Sequence, residues 1–494
     1  MKRSLFFLAI LLFASQTMLA QTKAAKSAGL AAIREADIKQ DLFDMAGDHF
    51  RGREAGTLDE LKVSMWLADR ARAAGLKPAG DDGTYFQFFS MWRNRISESS
   101  RIMVGDQSFP VWKEALISQT AGASVNAPLV FVGTGSKEEL AGKDIKGKAV
   151  AIEIRAENNG SASTLISSRR YLAQAVRKFS TDLFGKGAVA IVFIADEVIE
   201  ANWQLYTAFS GRGTYDIEGG NNERVNDRAP VIVLHTKALD LVKQPGISLN
   251  ARINIERFQY PSVNVVGKID GTDPVLKNEY VLFSGHQDHD GVRLTANADS
   301  IYNGADDNAS VSVALLAIAR GFDKQKGKRS ALFVWHGAEE RGLLGSKWYA
   351  QHSTVPKSSI VAVLNGDMIG RNTPDSAALL GVQSPHRNSQ ELVNMAMEAN
   401  NEGPKFKLDT LWDKASHPEG WYFRSDHLPY ARAGIPAVFY TTLLHPDYHT
   451  PIDQPERIDV GKLTRVTEWM YRTGWKVANA AKRPAVEAGF KLER

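Results

Sequence analysis

From Tyr260 to the end of the chain, short apolar runs alternate with helical patterns, and polar, metal-binding residue types fall at the ends of the runs. The runs are Tyr280 to Ser284, Ala331 to Trp335 and Ile360 to Leu364; helices are expected from Ala309 to Gly321 and after Leu343. Alternation of this kind predicts an α/β domain built on a mainly parallel mixed sheet sandwiched by helices. The carboxyl ends of such strands lie at the edge where open α/β sheets hold ligands. His286, Glu339 and Asp367 each fall just past a predicted strand.

Five stretches then follow in order: His286-Gln287-Asp288, Asp306-Asp307-Asn308, Glu339-Glu340, Asp367 and Tyr448-His449. Each has an ordinary explanation alone. Asp and Asn cap helices, paired glutamates suit a helix start, and a lone histidine is most often a hydrogen-bonded structural group. The ordered set is harder to explain that way. Four oxygen donors and two imidazoles, with one carboxylate shared, form the ligand set expected of two zinc ions roughly 3.5–4 Å apart. The chain has no cysteine, so any zinc must be held by His, Asp and Glu.

Composition limits the alternatives. With 44% hydrophobic and 23% charged residues over 494 positions, the chain is long enough for two or three cores. The formal charge of +4 includes Lys2 and Arg3, so no nucleic-acid partner is expected. Those two residues open a leader, with an apolar run from Leu5 to Ala14 and small residues before Gln21. Residues 1–20 therefore read as a signal peptide, and a periplasmic or secreted location is expected. No later segment is long and apolar enough to insert in a membrane. Oligomeric state is not legible.

Upstream, residues 36–74 carry two helical patterns around Gly52-Arg53-Glu54-Ala55-Gly56-Thr57. Between about 121 and 248 the texture changes to short β-rich runs with one amphipathic helix, Leu165 to Leu183, and a Gly- and Asn-rich stretch, Gly211 to Asn226, that reads as a long loop. The expected organisation is a main domain from 21–120 and 249–494, interrupted by a β-rich insert at 121–248.

The order His-x-Asp, Asp-Asp-x-Ala-Ser, Glu-Glu-x-Gly-Leu-x-Gly-Ser, Asp-Met, Tyr-His-Thr resembles the di-zinc exopeptidase family, which includes secreted bacterial aminopeptidases, glutamate carboxypeptidases and glutaminyl cyclases. Gly52-Arg53 with Gly56-Thr57, and Ser425-Asp426-His427 followed by Gly434-Ile435-Pro436-Ala437, also look like family segments. The insert, with Asp144-Ile145-Lys146-Gly147-Lys148-Ala149-Val150, is similar to the protease-associated domain of some members. The resemblance implies two zinc ions per subunit: one on His286 and Asp367, the other on Glu340 and His449, with Asp307 bridging. Glu339 would be the general acid/base, Asp288 would orient His286, and Tyr448 would hydrogen-bond the developing oxyanion. The implied substrate is a peptide, cleaved from its amino terminus. A carboxypeptidase or dipeptidase, which would need arginines such as Arg371 and Arg424 on the substrate carboxylate, a glutaminyl cyclase and a metal-free binding module are the competing readings. Two departures stand out: Val311 where the family has Gly, and His289 after Asp288. Neither is expected to touch a ligand. His336, His352, His386, His417 and His445 are expected to be structural or solvated, and Asp426 and His427 to line the substrate pocket.

Overall fold

The computed structural model describes residues 26–159, 165–293 and 299–492; the expected signal peptide lies outside the described residues. Two large sheets carry the architecture. The main sheet runs, from one edge, Lys407–Asp409, Ser376–Leu380, Ala437–Thr441, Ile360–Gly366, Tyr280–His286, Ser330–His336, Ile255–Ile269, Phe86–Ile96 and Thr214–Ile217, with Lys77–Pro78 added against Ile255–Ile269. Its centre is parallel: Tyr280–His286 pairs in parallel with both Ser330–His336 and Ile360–Gly366, which in turn pairs in parallel with Ala437–Thr441. Toward Phe86–Ile96 the pairing turns antiparallel, so the sheet is mixed with a parallel core.

Alternation along the central strands divides two cores. Phe283, Phe333, Trp335 and Leu364 face one side, while Leu282, Leu332, Val334 and Val363 face the other, as the two-residue period of a strand requires. The first side is covered by the helix Ser310–Lys324, backed by Val460–Asn479 and Glu35–Met45. Ser310–Lys324 is buried on nearly all faces, as expected of a helix apolar all round. Close packing is set by small residues: a Cβ on Gly474 would lie 2.1 Å from the Phe283 ring.

The second sheet orders Gln107–Ser108, Arg101–Val104, Ser248–Ile253, Ala123–Phe131, Ala149–Glu153, Ala190–Ile194, Val231–Leu234 and Ala115–Ile117. Its strands therefore come from 101–253, a wider span than the expected 121–248. The stretch from Gly211 to Asn226 is not wholly loop. Its residues Thr214–Ile217 pair with Phe86–Ile96 at the edge of the main sheet. That pairing places Arg212 beside the site described next.

Candidate metal centre

The parallel strands end in one place. His286 closes Tyr280–His286, Glu339 and Glu340 follow Ser330–His336, Asp367 follows Ile360–Gly366, and His449 lies in the loop after Ala437–Thr441. Asp307 sits in the short turn of helix Ala305–Ala309 that opens Ser310–Lys324. Three non-glycine residues here, Ala338, Met368 and His449, adopt left-handed φ values of 53°, 58° and 53°. Such conformations persist only where the surroundings over-determine them, and they cluster at functional sites.

Two donor groups form around Asp307. In the first, His286 Nε2 lies 3.2 Å from Asp307 Oδ1 and 3.6 Å from Asp367 Oδ1. In the second, His449 Nε2 lies 3.0 Å from both Asp307 Oδ2 and Glu340 Oε1. Each oxygen of Asp307 thus faces a different group. All donors within each group fall within 4.8 Å of one another. Glu339 belongs to neither group; its Oε2 is 3.8 Å from His286 Nε2, and its side chain is 11% exposed.

The electrostatics favour a bound cation. Burial lowers the affinity of His286 and His449 for a proton, but Glu339, Asp367 and Asp307 around the first, and Glu340, Tyr448 and Asp290 around the second, outweigh it and raise both imidazoles well above their ordinary range. Burial opposes ionisation of Glu340, yet His449 and His289 hold it at about 2. Burial raises Glu339 well above the usual carboxylate range; His286 opposes the shift, and Glu340, Asp367 and Asp426 add to it. Buried carboxylates at this density require cations, and protons on the imidazoles occupy the positions a metal ion would compete for. His286 Nε2 and Glu340 Oε1 have no hydrogen-bond partner among the described residues. The donor set suits two divalent ions of the zinc type, with nitrogen and oxygen ligands only.

A supporting layer fixes the donors. Asp453 accepts the backbone N–H of Asp306 and of Asp307, each at 3.1 Å through Oδ2. Arg53, fully buried, donates to the carbonyls of Gln287, Asn303 and Gly304 at 2.8, 2.6 and 3.0 Å, tying the His286 loop to the Asp307 turn. Asp288 differs from expectation. Its backbone oxygen, not its carboxylate, is the nearer partner of His286 Nδ1, at 3.1 Å against 3.8 Å. The carboxylate instead accepts the N–H of Glu339 at 3.0 Å and of Glu340 at 3.3 Å, and burial raises it to about 6. Tyr448 accepts a hydrogen bond from Arg424 at 3.1 Å, and burial raises its phenol well above the ordinary value.

The expectation that His289 stands clear of the ligands is overturned. His289 Nδ1 lies 2.9 Å from Glu340 Oε1 and 3.9 Å from Asp307 Oδ2, inside the second donor group. Asp290 was also missed: its Oδ2 lies 3.3 Å from His449 Nδ1, and its Oδ1 lies 2.8 Å from Arg212. The only sequence signal for either was their adjacency to His286-x-Asp288. Val311, the other departure, packs against glycine: a Cβ on Gly285 or Gly366 would come within 2.5 or 3.0 Å of it. Two glycines on neighbouring strands make the room that a glycine at 311 would otherwise supply.

Of the remaining candidates, His336 is buried against Tyr430, His386 pairs with Asp413, His445 faces Asp306 at 3.4 Å, and His352 stacks on Trp348. Asp426 and His427 are fully buried; burial raises the first to about 7 and lowers the second to about 3.

A parallel-centred α/β sheet thus carries two candidate donor groups that share one carboxylate. Residues 264–473 match the model of peptidase family M28, a span that holds every donor named above. It is 29% identical over 204 residues to aminopeptidase YwaD of Bacillus subtilis, covering 40% of this chain and 43% of that protein. It is 26% identical over 301 residues to a probable leucine aminopeptidase of Trichophyton verrucosum, covering 58% and 74%. Among solved structures, the aminopeptidase from Aneurinibacillus sp. strain AM-1 superposes with a TM-score of 0.56 at 18% identity, over 93% of this chain and 98% of that one. BSAP, a zinc aminopeptidase from Bacillus subtilis, gives 0.55 at 17% identity, over 93% and 99%. These likenesses establish the fold over nearly the whole chain. No helix among the described residues is long and apolar enough to cross a membrane.

Proposed function

We propose that the protein is an exported zinc aminopeptidase that removes amino-terminal residues from peptides, with His286, Asp307 and Asp367 around one ion and Asp307, Glu340 and His449 around the other. The observation that carries the reading is Asp307, whose two oxygens address two separate donor groups, with Glu339 beside them and outside both. Bound there, two zinc ions would polarise the scissile carbonyl and make water a nucleophile at neutral pH. The protein's own groups manage the protons. Glu339, anchored through its backbone N–H by Asp288, accepts the proton of the attacking water and passes it to the amine nitrogen as the carbon–nitrogen bond breaks. A carboxyl raised by burial is suited to both halves of that transfer. Tyr448, held by Arg424, is the nearest phenol to His449, with ring centroids 3.9 Å apart, and is assigned to the developing oxyanion.

The carboxypeptidase reading needs free arginines. Arg371 is 2.5 Å from Asp447, and Arg424 is 3.2 Å from Glu419, so both already have carboxylate partners. The sequence pattern of residues 1–20, and the resemblance of residues 121–248 to a protease-associated domain, support export and an accessory role for that segment. Glu339→Gln tests the core of the proposal: zinc content is expected to stay at the wild-type level while kcat falls by about 10²–10⁴-fold. Unchanged turnover with zinc in place would remove Glu339 from the mechanism.

A further inference from the structure

His289 has no role in the reading above, yet its surroundings are those of a ligand. It is fully buried, and neither ring nitrogen nor Glu340 Oε1 has a hydrogen-bond partner among the described residues. Nδ1 and Glu340 Oε1 nevertheless approach to 2.9 Å, close enough for both to reach one cation. His449 Nε2 reaches the same oxygen at 3.0 Å, its ring nearly perpendicular to that of His289 at 85°. Two imidazoles therefore come upon one carboxylate oxygen from different directions, and with Asp307 they form a four-residue donor group that one shared cation would satisfy.

The position is built rather than incidental. The His289 N–H faces the Arg53 carbonyl at 3.3 Å. Gly304, at φ 56°, leaves the space the ring fills, because a Cβ there would lie 2.5 Å from ring carbons of His289. Burying an imidazole with both nitrogens unpaired is unfavourable. A metal ion offsets that cost.

We infer that His289 is a fourth protein ligand at the second site, so the two sites are unequal. His289, Asp307, Glu340 and His449 make a four-donor group, and His286, Asp307 and Asp367 a three-donor group. A further protein donor holds its ion more tightly. The second ion is then the retained one, and the first the exchangeable one. This rests on the two-ion reading above.

The test is zinc retention, not activity. Zinc-loaded full-length mature protein is dialysed against a graded series of chelator and its zinc counted by mass spectrometry, for wild type, His289→Ala and His289→Asn. Wild type is expected to lose its ions in two stages at least about tenfold apart. Both variants are expected to weaken the tighter stage by about tenfold or more, since even outer partners of zinc ligands are worth 10–100-fold. Cobalt loading supplies the second readout: loss of one donor is expected to change the visible absorption of the tighter ion. Near-UV circular dichroism identifies a variant that has not folded, and the other variant then decides. Two unchanged stages in a folded variant, or weakened affinity with an unchanged cobalt spectrum, would overturn the assignment of His289. Wild type that binds no zinc would instead overturn the two-ion reading itself.

Discussion

Arg53 ties together the backbone segments that carry ligands of both donor groups. It donates to four backbone carbonyls, those of Gln287, Asn303, Gly304 and, at 3.3 Å, Met45. Hydrogen bonds from a charged donor contribute about 1.5–3 kcal/mol each, so four give roughly 6–12 kcal/mol. Against this, burial, partly relieved by Asp288, Asp307, Asp453 and Glu340, lowers the guanidinium from 12.5 to about 10, a cost of about 3 kcal/mol at 1.36 kcal/mol per pKa unit. The net lies at roughly 3–9 kcal/mol. Arg53→Met keeps the apolar stem but strands four buried carbonyls, and the expected loss is at the lower end, about 3–5 kcal/mol. Arg53→Lys is expected to recover only part of it, because an ammonium offers three donors from one nitrogen where the guanidinium reaches four carbonyls from three. Urea unfolding followed by tryptophan fluorescence, with and without zinc, measures the loss. Zinc affinity is expected to fall in step, since the Gln287 and Gly304 segments carry ligands of both groups. A loss below about 1 kcal/mol for Arg53→Met would refute the claim that this arginine holds the loops together.

Two further perturbations probe the layer beneath the site. Glu60, buried and accepting the Gly56 N–H and the Ser262 hydroxyl, each at 2.6 Å, is raised to about 8 by burial, with Asp288 adding to the shift. Its folded pKa exceeds the unfolded one, so the folded state binds the extra proton and the stabilisation it brings is full below about 4.5 and lost as pH rises through about 8. The stability of wild type minus that of Glu60→Gln is therefore expected to fall by about 3–5 kcal/mol between pH 5 and about 9; a flat difference in denaturation would contradict it. Arg212 comes from the inserted segment and reaches Asp290, which faces His449. Arg212→Ala is expected to weaken zinc binding at the second site by about 10–100-fold, and unchanged zinc titration would show that the insert does not steady the centre.

The parts legible in the sequence were those governed by local pattern. Tyr280–His286, Ser330–His336 and Ile360–Gly366 are apolar runs bounded by polar residues, and the helices at Glu35–Met45, Leu58–Ala73 and Ser310–Lys324 have ordinary spacing. The order of motifs then suggested which strand ends meet. What escaped depends on contacts between distant segments. Thr214–Ile217 is only four residues within a Gly- and Asn-rich stretch and becomes a strand because Phe86–Ile96 offers an edge. Asp453 serves Asp307 across 146 positions of chain, and nothing in its neighbours signals that. His289 stood out in the sequence only as a departure after Asp288, and its placement depends on contacts with Arg53 and Gly304.

The central claim, a zinc-dependent exopeptidase reading free amino termini, is tested most directly by one assay on purified mature protein. Aminoacyl chromogenic substrates and amino-terminally blocked peptides are offered in parallel, before chelation, after chelation and after zinc is returned. The account predicts cleavage of the free-amine substrates alone, lost with chelator and restored by zinc. Cleavage confined to blocked peptides, or cleavage indifferent to chelator, would contradict it.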